Sequence, residues 1–305
     1  MAAEREGIAA HRTPPGDGAR QVAFCGLGIM GEPMAAHLAR AGFELSVYTR
    51  TREKAAAFAR DSGARAAATP REAAEGASVV ITMVPDAPEV EEVLLGEQGA
   101  VHGLGEGALV IDMSTIAPTA ARAIGERLAD DGVGFLEAPV SGSRPKAEDG
   151  TLTIMVGGDQ SDFERARPLF DAMGERIVYV GPRGHAQLAK LLTNTMGAVH
   201  AVALAESVLA AERVGLNPDA FLDVAAGSAG NSTVLGLKGG PMFERDFTPL
   251  FKLEHMLKDV RHCLDEAKAL GVELRLGAFV EPLFVKAAEA GHAEEDFAAV
   301  IRALE

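Results

Sequence analysis

At 305 residues, with 48% hydrophobic and 24% charged side chains, the chain is long enough for one large domain or two of ordinary size, and its apolar content excludes intrinsic disorder. A formal net charge of −15 and the lack of any dense Lys/Arg run argue against a broad nucleic-acid footprint, because such a surface repels phosphate. Two cysteines, Cys25 in an apolar run and Cys263 in a helical stretch, supply neither a disulfide framework nor a metal-ligand spacing, so no metal is expected.

The opening residues 1–20, MAAEREGIAAHRTPPGDGAR, lack a signal peptide's apolar stretch and read as a flexible tail. No run reaches the ~18 consecutive apolar residues that span a bilayer, so a cytoplasmic protein without membrane contact is expected. Over residues 21–183 short apolar runs alternate with segments of helical period, and QVAFC, ELSVY, SVVITM, ALVIDM, VGFLEAP, TLTIMV and RIVYV read as strands. This alternation predicts parallel strands joined by crossover helices, an α/β doubly wound sheet domain. Past Gly181 the strand signals stop. Residues 184–305 read as an all-helical domain, punctuated at Gly215-Leu216-Asn217-Pro218, Gly239-Gly240-Pro241, Gly271 and Gly291. Residues 187–212 are apolar or small on nearly every side, which suits a long helix buried between domains or subunits.

Directly after QVAFC stands Gly26-Leu27-Gly28-Ile29-Met30-Gly31, followed by EPMAAHLARAG, which reads as a helix ending in a glycine. Gly26 would permit a tight turn, Gly28 a close backbone approach to a pyrophosphate, and Gly31 close packing of helix on strand, with amide donors facing the anion. A glycine-rich turn without a ligand is the alternative reading of the bare pattern. An NAD-selecting fold usually ends its second strand in Asp or Glu for the ribose 2′-hydroxyl, whereas Tyr48 is followed by Thr49-Arg50-Thr51-Arg52. A guanidinium among hydroxyls fits a 2′-phosphate, so NADP(H) is the expected cofactor and NAD(H) the second choice; solvated arginines at a helix start are the alternative. Met83-Val84-Pro85 and Asp112-Met113-Ser114-Thr115 end the SVVITM and ALVIDM runs, at the carboxyl ends where an open α/β sheet binds its ligand. Thr115 would hydrogen-bond the nicotinamide ribose or amide, or else cap the helix of APTAARAIGERL.

Glu137-Ala138-Pro139-Val140-Ser141-Gly142-Ser143 carries a strand end into a small-residue turn. Amides there can form an anion nest, with Ser141 and Ser143 adding neutral donors for a substrate carboxylate; a tight loop that satisfies its own backbone is the alternative. Lys190 opens KLLTN inside the apolar helix, and Asn194, four residues on, shares its face. In a dry cleft the ammonium would drop toward neutrality and exchange a proton with substrate while Asn194 orients the oxygen. A snorkelling surface lysine is the alternative. Lys258-Asp259 is a second charged pair, which by itself reads as a solvated helical face. His185 and His255 have no partner readable from spacing and are read as structural.

Taken together, GLGIMGEPMAAHL, DMST, APVSG, AEDGTLTIMVGG, KLLTN and the late KD resemble, in order and spacing over residues 22–304, the signatures of the β-hydroxyacid dehydrogenase family. The resemblance implies a Rossmann-type domain joined by a long helix to an all-helical domain that also makes an oligomer interface, hence a homodimer or homotetramer. It implies that Lys190 is the catalytic lysine, Asn194 the substrate-orienting asparagine and Ser141 with Gly142 the carboxylate-binding turn, and that Thr115 and Lys258 contact the cofactor. Ser143 replaces a glycine common in hydroxyisobutyrate dehydrogenases, while SGSRPKAEDG and FKLEHMLKDVR resemble the glyoxylate/succinic semialdehyde reductase branch, which reduces small aldehyde acids with NADPH. A 3-hydroxyisobutyrate-like dehydrogenase working oxidatively, and a non-catalytic NADPH-binding interaction module, are the alternatives. Thr49 stands where an Asn is usual and Ala186 where a glycine is frequent.

Overall fold

The structure, a computed structural model, describes residues 21–305. The tail expected over residues 1–20 lies outside the described residues. The first half alternates strand and helix: β1 (Gln21–Cys25), α1 (Gly31–Arg40), β2 (Glu44–Tyr48), α2 (Arg52–Ser62), β3 (Arg65–Ala66), α3 (Pro70–Ala74), β4 (Val79–Thr82), α4 (Ala87–Leu95), β5 (Leu109–Asp112), α5 (Pro118–Asp130) and β6 (Gly134–Glu137). It closes with β7 (Val140–Ser141), α6 (Ser143–Asp149), β8 (Leu152–Gly158), α7 (Gln160–Met173) and β9 (Gly174–Gly181).

These strands form one sheet in the order β3-β2-β1-β4-β5-β6-β8-β7, with β9 beside β8. Pairing is parallel from β3 across to β6. β8 instead runs antiparallel to both β6 and β7, a departure from the parallel pairing expected of an alternating chain. Only the short α6 separates β7 from β8, too little chain for the crossover of a dozen or more residues that a parallel neighbour needs.

Successive residues of a strand face opposite ways. Val22, Phe24, Ile81, Leu109 and Ile111 therefore pack into one core, and Ala23, Cys25, Val80 and Val110 into another on the far side of the sheet. Two-sided burial accounts for the near-continuous apolar strands, and each large side chain so buried contributes ~1.5–3 kcal/mol before the entropy of ordering it is counted. From β1 the chain proceeds to β2 on one side, while β4 lies on the other; the connections thus leave the two carboxyl ends in opposite directions and open a crevice between them.

The second half comprises α8 (His185–Val214), α9 (Pro218–Ala226), α10 (Thr233–Glu244), α11 (Leu253–Ala269) and α12 (Arg275–Ala287) around a third core that includes Ala201, Ala205, Val260, Phe284 and Val300. No strand follows Gly181 among the described residues. The 30-residue α8 packs on α10, α11 and α12 and also touches β8 and β9, so it belongs to both halves. α8 is long and apolar enough in composition to cross a bilayer, but its sequence is interrupted by Lys190, Asn194, His200 and Glu206, and it packs as a core helix of the second half.

A further correction concerns Gly239-Gly240-Pro241, where a break was expected and α10 runs straight through. A Cβ on Gly239 would lie 2.5 Å from Leu222 Cδ2, so glycine lets α9 and α10 close on each other. That packing outweighs the ~1 kcal/mol by which glycine disfavours a helix. At the other expected breaks the chain does turn, with Gly215 left-handed after α8 and Asn217 capping α9 by accepting the Ala220 amide at 2.9 Å.

Candidate active site

The glycine turn divides its labour. Gly26 has φ +113°, and a Cβ on it would sit 2.2 Å from the Met83 carbonyl oxygen; a Cβ on Gly31 would sit 1.9 Å from that of Gly26. Both are required by the close approach of the turn to β4 and of α1 to the turn. Gly28 is different, because a Cβ there would meet nothing within 4 Å. Its bare backbone faces open space at the start of α1, a place where an anion can approach amides and a helix N-terminus together. Leu27 is buried in the sheet core and can offer a ligand only its main chain, whereas Ile29 is exposed and Met30 half-buried.

The crevice is a cleft of 280 Å³ between the two halves. Gly28, Ile29, Met30 and Gly31, then Met83, Val84, Pro85 and Thr115, line it from the sheet side. Lys258 lines it from α11, together with His255 and Asp259 of the same helix and Phe251 just before it, three residues that the sequence did not place in a site. Lys258 and Asp259 stand three and four residues after His255 on α11, a spacing that turns them toward the side of His255 and that was available in HMLKD. Burial pushes the His255 imidazole below its ordinary pKa and so favours its neutral form.

Thr49, Arg50 and Thr51 lie outside this cleft, at the end of β2, with Arg50 and Thr51 exposed. They adjoin the glycine turn, since the Gly26 amide donates to the Tyr48 carbonyl at 2.8 Å.

Polar bonds fix the loops at the sheet's carboxyl edge. Asp112 Oδ1 accepts from Thr82 Oγ1 at 2.7 Å and from the Ser114 amide at 3.1 Å, while Ser114 Oγ accepts from the Val84 amide at 3.0 Å. Thr115 does not cap a helix, because α5 begins at Pro118 behind Ala117 with no side-chain cap. Lys258 Nζ donates to the carbonyls of Pro85, at 3.0 Å, and Thr115, and lies 3.1 Å from Asp259 Oδ1. It is thus a strap across both loops, and Asp259, 1% exposed, is no part of a solvated face.

α8 is docked onto this edge at its first turn. Glu137 Oε1 at the end of β6 accepts the amides of Ala186 at 2.7 Å and Gln187 at 3.3 Å, a carboxylate at a helix N-terminus. Ala186 is fully buried there, so the helix starts without the glycine that is frequent at this position. Burial raises the Glu137 pKa, opposed by these amide bonds.

One turn further on, Lys190 is only 8% exposed, which removes the snorkelling alternative. Among the described residues it has no salt bridge, and its pKa is pulled down from 10.5 to about 8, first by burial and further by Lys258, with Asp259 opposing. Asn194 Nδ2 donates to Asp259 Oδ2 at 2.6 Å. Lys190, Asn194, Asp259 and Lys258 therefore form one group, whose last two members belong to the cleft wall.

Ser141, Gly142 and Ser143 lie outside the cleft lining, where β7 passes into α6. Gly142 has φ +134°, and Ser143, at φ +54°, holds a left-handed conformation that favours glycine. The serine that replaces the commoner glycine is accordingly strained, and the Lys146 side chain folds over Gly142, within 2.6 Å of where a Cβ would be.

Residues 21–181 match the family model described as the NAD binding domain of 6-phosphogluconate dehydrogenase, and residues 184–304 the model described as NAD-binding of NADP-dependent 3-hydroxyisobutyrate dehydrogenase. A 2-hydroxy-3-oxopropionate reductase of Escherichia coli (strain K12) is 38% identical over 285 residues, covering 93% of this chain and 97% of its own. Glyoxylate/succinic semialdehyde reductase 2, chloroplastic, of Arabidopsis thaliana is 34% identical over 287 residues, covering 94% and 80%. An NAD-dependent L-serine dehydrogenase of Pseudomonas aeruginosa is 36% identical over 288 residues, covering 92% and 96%.

Proposed function

Because the chain belongs to the β-hydroxyacid dehydrogenase family of NAD(P)-dependent oxidoreductases acting on CH–OH groups, we propose that it reduces small aldehyde acids of the glyoxylate or succinic semialdehyde type to hydroxy acids with NADPH, Lys190 delivering the proton. The observation that carries this reading is Lys190 itself: a buried lysine beside the cleft wall, with its pKa near 8, holds a mobile proton at physiological pH.

A nicotinamide dinucleotide fits the open backbone at Gly28 and the crevice beside it, and when bound it supplies the hydride that reaches the aldehyde carbon. As that carbon becomes tetrahedral its oxygen gains charge, and Lys190 Nζ neutralises it by giving up one proton, so that aldehyde, hydride and proton together make the alcohol. Asn194 steers the oxygen through its amide. Ser141, Gly142 and Ser143 take the substrate carboxylate on backbone amides and hydroxyls. Arg50 reads the 2′-phosphate, with Thr49 and Thr51 beside it. Thr115 contacts the nicotinamide end, and Lys258 supports that contact by holding the Thr115 carbonyl.

The E. coli and Arabidopsis relatives carry names of aldehyde-acid reductases, which favours the reductive direction. The Pseudomonas relative favours a second reading, oxidation of a 3-hydroxy acid, with NAD as cofactor. Turnover on a panel separates the two: glyoxylate and succinic semialdehyde with NADPH should react faster than 3-hydroxyisobutyrate or L-serine with NADP⁺ or NAD⁺, and the reverse ranking rejects the first reading. A chain that binds NADPH but turns over none of these is a binding module instead. Met196 at 59% and Phe279 at 65% exposure, both on the helical half, support a homodimer or homotetramer. Two free, buried cysteines support a cytoplasmic location.

A further inference from the structure

Gln187 is fully buried and commits both polar atoms of its side chain to the backbone around Thr115. Nε2 donates to the Ser114 carbonyl at 2.9 Å, and Oε1 accepts from the Ile116 amide at 3.1 Å. These two bonds imitate a neighbouring strand across the intervening residue, Thr115, whose own carbonyl is taken by Lys258. Gln187 stands three residues before Lys190 on α8, so one helical turn carries both the grip on the Thr115 loop and the lysine. Glu137 anchors the same turn to β6 through the Ala186 and Gln187 amides.

We propose that Gln187 is a positioning residue that fixes the Thr115 loop, and through it the nicotinamide end of the cleft, at a set distance from Lys190. Hydride and proton must arrive at adjacent atoms of one small substrate, and the two groups that govern them come from different halves of the chain. A misplacement of ~1 Å can lower the rate ~10²-fold. Gln187 ties the two halves rigidly because its loss leaves a buried carbonyl and a buried amide without partners. This role rests on Lys190 being the proton donor.

Gln187→Leu and Gln187→Glu test it against the wild type. In Gln187→Leu, amide exchange at residues 114–116 should quicken in the cofactor-free protein. Its kcat should fall ~10- to 100-fold while the Kd for NADPH moves less than ~3-fold. The primary isotope effect with NADPH deuterated at the transferred position should rise, because hydride transfer becomes the slow step. Gln187→Glu retains both bonds only when protonated, so its kcat should recover at low pH and fall as the carboxyl ionises, an added titration that the wild type lacks. A lower kcat with an unchanged isotope effect, which signifies only fewer active molecules, overturns the positioning role, as does unchanged kcat. Should Gln187→Leu not fold, the pH profile of Gln187→Glu decides alone, and a profile like the wild type's overturns it. Lys190→Ala serves as the control: if it retains turnover, the proton-donor reading itself falls, whereas an inactive Lys190→Ala beside a normal Gln187→Leu removes only the positioning role.

Discussion

Asn194 Nδ2 donates to Asp259 Oδ2 at 2.6 Å, a bond that joins α8 to α11 at the wall of the cleft. A carboxylate only accepts, so the amide must turn its NH₂ group toward Asp259. Its second N–H and its oxygen stay available to a substrate, in an orientation set by the neighbouring helix.

Asn194→Ala should therefore lower kcat/KM for the aldehyde ~10²-fold, the typical cost of removing one preorganised donor. Steady-state rates measure this directly, and an unchanged value assigns the oxygen to another donor.

Lys190→Ala should reduce kcat ~10²- to 10⁴-fold with NADPH affinity intact, since only the acid/base group is lost. With the lysine pKa at about 8, the wild-type reduction rate should fall above that pH as the ammonium loses its proton, and the oxidation rate should rise through the same region. Stability follows the opposite account. Burial that takes the pKa from 10.5 to about 8 disfavours the charged form in the fold by ~3 kcal/mol at neutral pH, a penalty relieved between about pH 8 and 10.5 as the folded-state lysine becomes neutral. Lys190→Met should accordingly melt higher than the wild type at pH 7, with the gap narrowing as the pH climbs.

Arg50→Ala should shrink the ratio of kcat/KM with NADPH to that with NADH by ~10-fold or more, the equivalent of one lost charge-assisted bond. If the ratio holds, some other group reads the phosphate.

Lys238 and Asp296 form a buried ion pair at 2.8 Å, and the same carboxylate accepts the amides of Leu250 and Phe251 at 2.9 and 3.1 Å. Those two residues line the cleft. Lys238→Met should cost ~3–5 kcal/mol of unfolding free energy by urea denaturation, because it strands a buried charge. It should also raise KM through the loosened loop. Full stability in the variant would mean that the amides alone satisfy Asp296.

Local pattern was enough for much of this protein. Strand alternation, the glycine turn after β1, the left-handed stop at Gly215 and the four-residue step from Lys190 to Asn194 are all properties of neighbours in the chain, and sequence displays them because helix and strand periods are local. What it could not display are contacts between distant positions. Asn194 meets Asp259 across 65 residues, Gln187 meets Ser114 across 73, and Lys258 meets Pro85 across 173. Only the packed structure decided that Lys190 is buried rather than snorkelling, that Thr115 is held by Lys258, with Gln187 gripping the residues on either side of it, instead of capping α5, and that Gly239 lies inside a helix. In each case the deciding energy is the burial of a side chain or a polar group against a partner brought near by folding, a quantity that no window of neighbouring residues contains.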